Sequence, residues 1–185
     1  MKKSLLSIAL VLGLVSTTLV TNAQNGRFSV GAELALPMGD FGDAASTGFG
    51  GSVRYEYPVN DNIGLTGTVG YLIFSGKTVA GVDGPDWSMI PVQVGGKYYF
   101  TENQEGFYAG LEIGIHSSSI KTPEYNFGGF IIPSQSVSSS DLSYAPQLGY
   151  HLANLDLGLR YQMIATTGST TSYLGLRIAY VFGEK

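Results

Sequence analysis

Residues Leu155 to Met163 read L-D-L-G-L-R-Y-Q-M. Every odd-numbered position is large and apolar, and every even-numbered one is charged, small or polar. Successive side chains of a β-strand point to opposite faces, so strict alternation specifies a strand with one apolar and one polar face. Where the apolar face goes decides the fold. A soluble barrel or sandwich packs it inside. A membrane barrel turns it to lipid, and the polar face, here Asp156, Gly158, Arg160 and Gln162, lines the interior.

The chain opens M-K-K-S-L-L-S-I-A-L-V-L-G-L-V-S-T-T-L-V-T-N-A-Q, with Lys2 and Lys3 ahead of an apolar run and small or polar positions at Thr21 and Ala23 before Gln24. That is the form of a cleavable secretory signal peptide, expected over residues 1–23. Without Lys2 and Lys3, 8 basic residues remain against 14 acidic ones, a net of −6. An acidic chain with no basic run does not suit nucleic acid, so no nucleic-acid partner is expected. The absence of cysteine excludes disulfides, thiolate chemistry and a lipidated cysteine anchor. Only 13% of the residues are charged, against about a quarter in soluble domains. Yet no apolar run after residue 23 is long enough for a spanning helix.

Eight alternating segments can be read, over 28–36, 49–57, 63–73, 90–100, 107–115, 144–152, 155–163 and 174–182. Each has about the length that a tilted strand needs to cross a bilayer. Every charge within them falls on the less apolar face: Glu33, Arg54, Glu56, Lys97, Glu112, Asp156, Arg160 and Arg177. Glycines such as Gly31, Gly50, Gly95, Gly110, Gly114 and Gly149 share that face. A solvated sheet face normally carries Thr, Lys and Glu rather than glycine, whereas a narrow interior needs small residues for close packing. A lipid-facing Arg at mid-bilayer costs roughly 2–4 kcal/mol, which accounts for the clean segregation. The expected fold is therefore all-β: an eight-stranded antiparallel transmembrane up-and-down β-barrel over residues 24–185, leucines to lipid and Arg160 to the lumen. A soluble lipocalin-like barrel is the competing solution.

The connections support the membrane alternative. Long ones at 37–48, 74–89, 116–143 and 164–173 alternate with short ones at P-V-N-D-N (58–62), T-E-N-Q-E-G (101–106) and A-N-L-D (153–156). Outer-membrane barrels have short periplasmic turns and longer extracellular loops. An even strand number then puts both termini in the periplasm. Phe28, Tyr57, Phe100, Phe107, Tyr180 and Phe182 would form the inner aromatic girdle, and Phe49, Tyr71, Trp87, Tyr144 and Tyr173 the outer one.

Several runs carry a family resemblance: M-I-P-V-Q-V-G-G-K-Y-Y-F (89–100), Y-A-P-Q-L-G-Y-H-L (144–152), L-D-L-G-L-R-Y (155–161) and L-G-L-R-I-A-Y-V-F (174–182). With the A-Q junction at 23–24, they resemble the small outer-membrane β-barrel family common in Bacteroidota, similar in architecture to OmpA- and OmpX-type barrels. The resemblance implies an outer-membrane location, contact with outer-membrane lipid, and handling by the barrel-insertion machinery, to which the terminal aromatic strand is a signal. It implies little about biochemical role, because such folds host many functions.

Candidate chemistry is sparse. His116-Ser117-Ser118 is similar to the His-x-Ser element of outer-membrane lipid A deacylases, but its parity places His116 on the lumen face beside Glu112 and Gly114, away from lipid, and Ser118 opens a serine-rich connection. His151 lies near the opposite end, so the two histidines cannot share a metal. No catalytic residue, cofactor or metal site is expected. Glu33, Arg54, Glu56, Lys97, Glu112, Arg160 and Arg177 form a lumen charge cluster, with Glu33 expected between Arg54 and Arg177, and Lys97 beside Glu112. It is either a salt-bridged filling, since eight-stranded barrels are just filled by side chains, or a proton or ion path. The connection from Ser117 to Asp141 has serine-rich ends around Y-N-F-G-G-F-I-I, and Gly128-Gly129 is a hairpin signal. That hairpin either extends the fifth and sixth strands above the membrane and packs Phe127, Phe130 and Ile131 against its neighbours, or offers Tyr125, Phe127, Phe130, Ile131 and Ile132 as contacts to an extracellular protein or matrix partner. Three functions follow in order: a monomeric, non-enzymatic scaffold presenting loops for adhesion, partner binding or envelope integrity; a narrow pore; and a lipid-modifying enzyme.

Overall fold

The computed structural model describes residues 26–78, 84–127, 130–166 and 168–182; the expected signal peptide and Gly128-Gly129 lie outside them, as do the side chains of 125–132. Eight strands close the barrel: β1 (Arg27–Met38), β2 (Gly48–Pro58), β3 (Ile63–Phe74), β4 (Asp86–Tyr99), β5 (Gly106–Lys121), β8 (Ser136–Leu152), β9 (Leu155–Thr166) and β10 (Ser169–Phe182). All neighbours are antiparallel, and β10 pairs with β1 from Phe28↔Phe182 to Met38↔Ser172, which seals the sheet. A separate pair, β6 (Tyr125–Phe127) and β7 (Phe130–Ile132), stands between β5 and β8. One short helix, α1 (Gly39–Ala44), lies between β1 and β2. None of the described helices is long or apolar enough to cross a membrane.

The fold is inside out relative to a soluble barrel. Val30, Leu34, Val94, Leu111, Ile113, Leu148 and Leu159 are exposed on the outer surface, whereas Glu33, Arg54, Lys97, Glu112, Asp156, Arg160 and Arg177 are buried inside. Glycine makes that narrow interior possible. A Cβ on Gly95 would stand 2.1 Å from the Leu111 carbonyl oxygen, and one on Gly114 the same distance from that of Val92. Both contacts are to backbone, so no neighbour can swing aside. At Gly149 the space is taken by the Tyr108 ring, whose nearest atom would lie 2.2 Å from an added Cβ.

Three expectations need correction. The connection expected over 164–173 is almost entirely strand, because Thr166 pairs with Ser169 and only 167–168 separate β9 from β10. The serine-rich ends of the 117–141 connection are also strand, with Ser117↔Ser140, Ser118↔Ser139 and Ser119↔Ser138 in register. Polar side chains had hidden the alternation there. Finally, Trp87 and Tyr173 do not belong to the outer girdle. Tyr173 is fully buried, and Trp87 packs inward on Phe41 with ring centroids 5.6 Å apart. Both occupy the parity of the lumen face, which at this end of the barrel is apolar.

Candidate functional site: the barrel interior and its two ends

The end of the barrel bearing α1 and β6–β7 is here termed the loop end, and the other the turn end. Four levels fill the interior between them. At the turn end, Arg27 donates to Glu56 Oε1 at 2.8 Å and to Gln104 Oε1 at 2.5 Å. Gln104 is the last residue of a 3-10 turn (Glu102–Gln104), and both it and Asn103 have left-handed backbones, with φ of 54° and 63°. Such conformations are uncommon for residues with a Cβ. They are held here because the Gln104 side chain folds under the barrel and donates to the carbonyls of Asn60 and Ile63. The Nδ1–H of buried His151 donates to the Gln104 carbonyl at 2.8 Å.

The next level is centred on Asp156. Lys97 Nζ lies 2.5 Å from Asp156 Oδ2 and 3.0 Å from Glu56 Oε2, and 4.2 Å from the centre of the Tyr108 ring. Tyr108 donates to Asp156 Oδ1 and Tyr99 to Glu56 Oε1, both at 2.7 Å. Above it stand two guanidinium–carboxylate groups. Arg54 meets Glu112 at 3.2 Å, and Glu112 also accepts from Thr66 and Thr68. Glu33 lies 3.2 Å from Arg160 and 3.6 Å from Arg177, and accepts from Ser52 at 2.6 Å. Arg54 and Arg177 each approach Asp156 to 4.0 Å, so the levels are joined into one network.

The pairing expected between Lys97 and Glu112 is not formed. In the β4–β5 register Lys97 faces Gly110 and Glu112 faces Gly95. With only glycine opposite, each long side chain crosses the lumen to a partner on a distant strand. Glu33 instead pairs with its direct cross-strand neighbour Arg177 on β10 and with Arg160 on β9, and no ion pair joins it to Arg54 among the described residues. Asp156 and Arg27 also belong to the network, beyond the seven residues of the expected cluster. Parity marks both: Asp156 is an even position of the opening stretch, and Arg27 continues the lumen series 29, 31, 33.

The fourth level, at the loop end, is apolar. Ala35, Ala45, Leu72, Phe74, Met89, Ile164 and Tyr173 form a buried cluster against which Phe41 and Trp87 pack. Phe41, from α1, meets the Phe74 ring edge-on at 5.1 Å. Below it, His116 is fully buried and joined through Nδ1 to Ser143 at 2.8 Å and through Nε2 to the Tyr173 hydroxyl at 3.1 Å. Both ring nitrogens are engaged away from Ser117 and Ser118, so His116 is not poised to activate either hydroxyl. Among the described residues no group of His, Asp and Glu could hold a metal ion. Of the candidate contacts Tyr125, Phe127, Phe130, Ile131 and Ile132, the backbone pairing of β6 with β7 is described and the side chains are not.

Comparison with known proteins places this architecture. The structure is similar to that of Ail, the attachment invasion locus protein of Yersinia pestis, with a TM-score of 0.61 and 17% identity over 85% of this chain and 99% of that one. Ail in complex with sucrose octasulfate, a heparin analogue, matches at a TM-score of 0.62 and 16% identity, covering 85% of this chain and 98% of that one. The N-terminal β-barrel domain of Pseudomonas aeruginosa OprF matches at 0.57 and 14% identity over 84% and 97% of the two chains. No curated protein matches. The family model for the outer membrane protein beta-barrel domain spans residues 7–182, and with that match, the closed eight-stranded barrel and its lipid-facing apolar surface, the chain belongs to the outer membrane protein beta-barrel domain family.

Proposed function

We propose that this protein is a non-enzymatic scaffold of the outer membrane, with both termini in the periplasm and the loop end outside, displaying its loops for adhesion, partner binding or envelope integrity. The observation that carries this is the filled interior. A charged network occupies the lumen from Arg27 to Arg160, and an apolar layer with Phe41 closes it at the loop end. What such a body offers for recognition is its loop end, with the β5–β8 extension, β6–β7 and α1. Ail is the relevant analogue, as a barrel of this shape that holds a heparin analogue. The ligand class differs here, because described loop-end acids (Asp40, Asp43, Asp86, Glu124, Asp141) outnumber Lys77 and Lys121, a surface that repels a polysulfate.

A narrow hydrated path is the second reading. It is favoured by Arg54 Nη1, Gln93 Oε1, Gln147 Nε2 and Gln162 Oε1, which are buried without a hydrogen-bond partner among the described residues. Such atoms call for internal water. A lipid-modifying activity has no observation in its favour. The scaffold proposal is tested by deleting 124–133 in cells: heat-modifiable gel migration should persist while binding to host cells, matrix or a partner protein is lost. Unchanged binding in each assay, with the barrel folded, overturns the role of this loop. Altered lipid A in cells lacking the protein would replace the scaffold with an enzyme.

A further inference from the structure

The sheet of β3, β4, β5 and β8 rises past the rest of the rim at the loop end. Pairing of β8 with β5 continues to Ser136, opposite Lys121, whereas pairing with β9 starts only at Leu142, opposite Ala165. Among the described residues, 136–141 thus have a paired strand on one side only, roughly 20 Å of strand at ~3.4 Å per residue. The phase of the ladder tells which groups are free. Thr122 N–H donates to the Gln135 carbonyl at 2.9 Å, and the Tyr144 carbonyl turns the other way, to β9, where it accepts from the Gln162 side-chain amide. Odd-numbered residues of β8 therefore turn their backbone groups to β5, and Ser136, Ser138 and Ser140 turn theirs to the open side. Among the described residues no hydrogen bond reaches those groups, and β6 and β7 pair with each other instead.

The opposite edge of the same raised sheet is closed. Ser46 N–H donates to the Ser75 carbonyl at 2.8 Å, Lys77 N–H to that of Ala44 at 3.0 Å, and Ala45 bridges Gly76. Proteins blunt free edges by such covering, or with lysine, proline or a bulge. The β8 edge reads S-V-S-S-S-D and has none of these. One of its faces also ends unfinished. Phe74, Trp87, Ile120 and Val137 stand in one cross-strand row, buried under Phe41 at the Phe74 end and 67% exposed at Val137. An added strand would extend this row with an apolar side chain beside Val137.

We infer that the open edge of β8 receives an added strand from a separate polypeptide, an extended basic segment with apolar residues at alternate positions. Main-chain bonds to Ser136, Ser138 and Ser140 give the affinity, the place beside Val137 sets the phase, and the acidic loop end selects the charge. Copies of this chain in one membrane run β8 in the same direction, so their edges do not meet antiparallel. The inference rests on the proposed display of the loop end.

The full-length barrel in detergent micelles, with both ends accessible, tests the edge independently of orientation. The probe is a short synthetic peptide alternating lysine and valine, and the readout is hydrogen exchange at individual amides. The Ser136, Ser138 and Ser140 amides should exchange rapidly alone and be protected at least tenfold by the peptide, but not by its glutamate–valine counterpart or an N-methylated version. Ser138→Pro removes an edge-facing N–H and leaves the β5 ladder whole, so it should keep the fold and abolish protection. Ser139→Pro should unfold the extension. Protection that survives in Ser138→Pro, or none with the wild-type barrel, overturns the inference. Amides already protected in a dimer without peptide would assign the edge to a second copy and overturn it equally.

Discussion

Replacing Glu112 with alanine tests the buried network at its most enclosed point. Glu112 is fully buried, and it is the carboxylate closest to Arg54, at 3.2 Å. Its loss leaves the Arg54 guanidinium with Thr68, Gln147 and an Asp156 oxygen 4.0 Å away that Lys97 already occupies. Stranding one partner of a buried pair typically costs ~3–5 kcal/mol, whereas replacing both with apolar groups is often close to neutral. With a urea slope of about 2 kcal/mol/M, Glu112→Ala should lower the unfolding midpoint by about 2 M. Arg54→Met combined with Glu112→Leu should recover most of that loss, because Asp156 keeps Lys97 and Tyr108. Urea unfolding in lipid vesicles, followed by the fluorescence of the sole tryptophan, Trp87, and by gel migration, reads both variants. A single-variant shift below about 0.5 M, or a double variant less stable than the single, would refute a dry, paired interior.

Gly95→Ala and Gly114→Ala should each prevent recovery of the heat-modifiable form, since their Cβ atoms collide with backbone oxygens, while Gly67→Ala, with nothing within 4 Å, should fold normally. Cysteine labelling on intact cells should modify Lys121→Cys and not Asn103→Cys; the reverse result inverts the orientation. His116→Ala should leave lipid A unchanged by mass spectrometry, and should destabilise the barrel by about 1–3 kcal/mol through the unpartnered Ser143 and Tyr173 hydroxyls.

Much of the barrel was legible because a period of two is a strong code when one side is lipid. The run from Leu155 to Met163 fixes its own two faces, and the same alternation holds in every barrel strand. Partner choice inside was not legible. Lys97 and Glu112 lie on neighbouring strands, but which side chains meet across a lumen depends on closure and register, and glycine opposite each of them sends the charge across the barrel. The G-D-F-G-D-A run of α1 shows no helical period, and only the apolar surface beneath Phe41 explains its place. At the loop end the hairpin signal pointed to a rise of β5 and β8, but serines replace the apolar positions that signal a strand, so how far they pair, and with it the open edge, follows from the register alone.

Single-channel recording in planar bilayers addresses the central claim, a sealed barrel whose function lies at its loop end, most directly. The purified full-length protein should insert without producing conductance steps, because charged side chains fill the lumen and the layer around Phe41, Phe74 and Tyr173 closes it. Stable, reproducible steps from the folded protein, reduced by enlarging Gly158, where an added Cβ would meet only side-chain atoms, would contradict it and establish a pore.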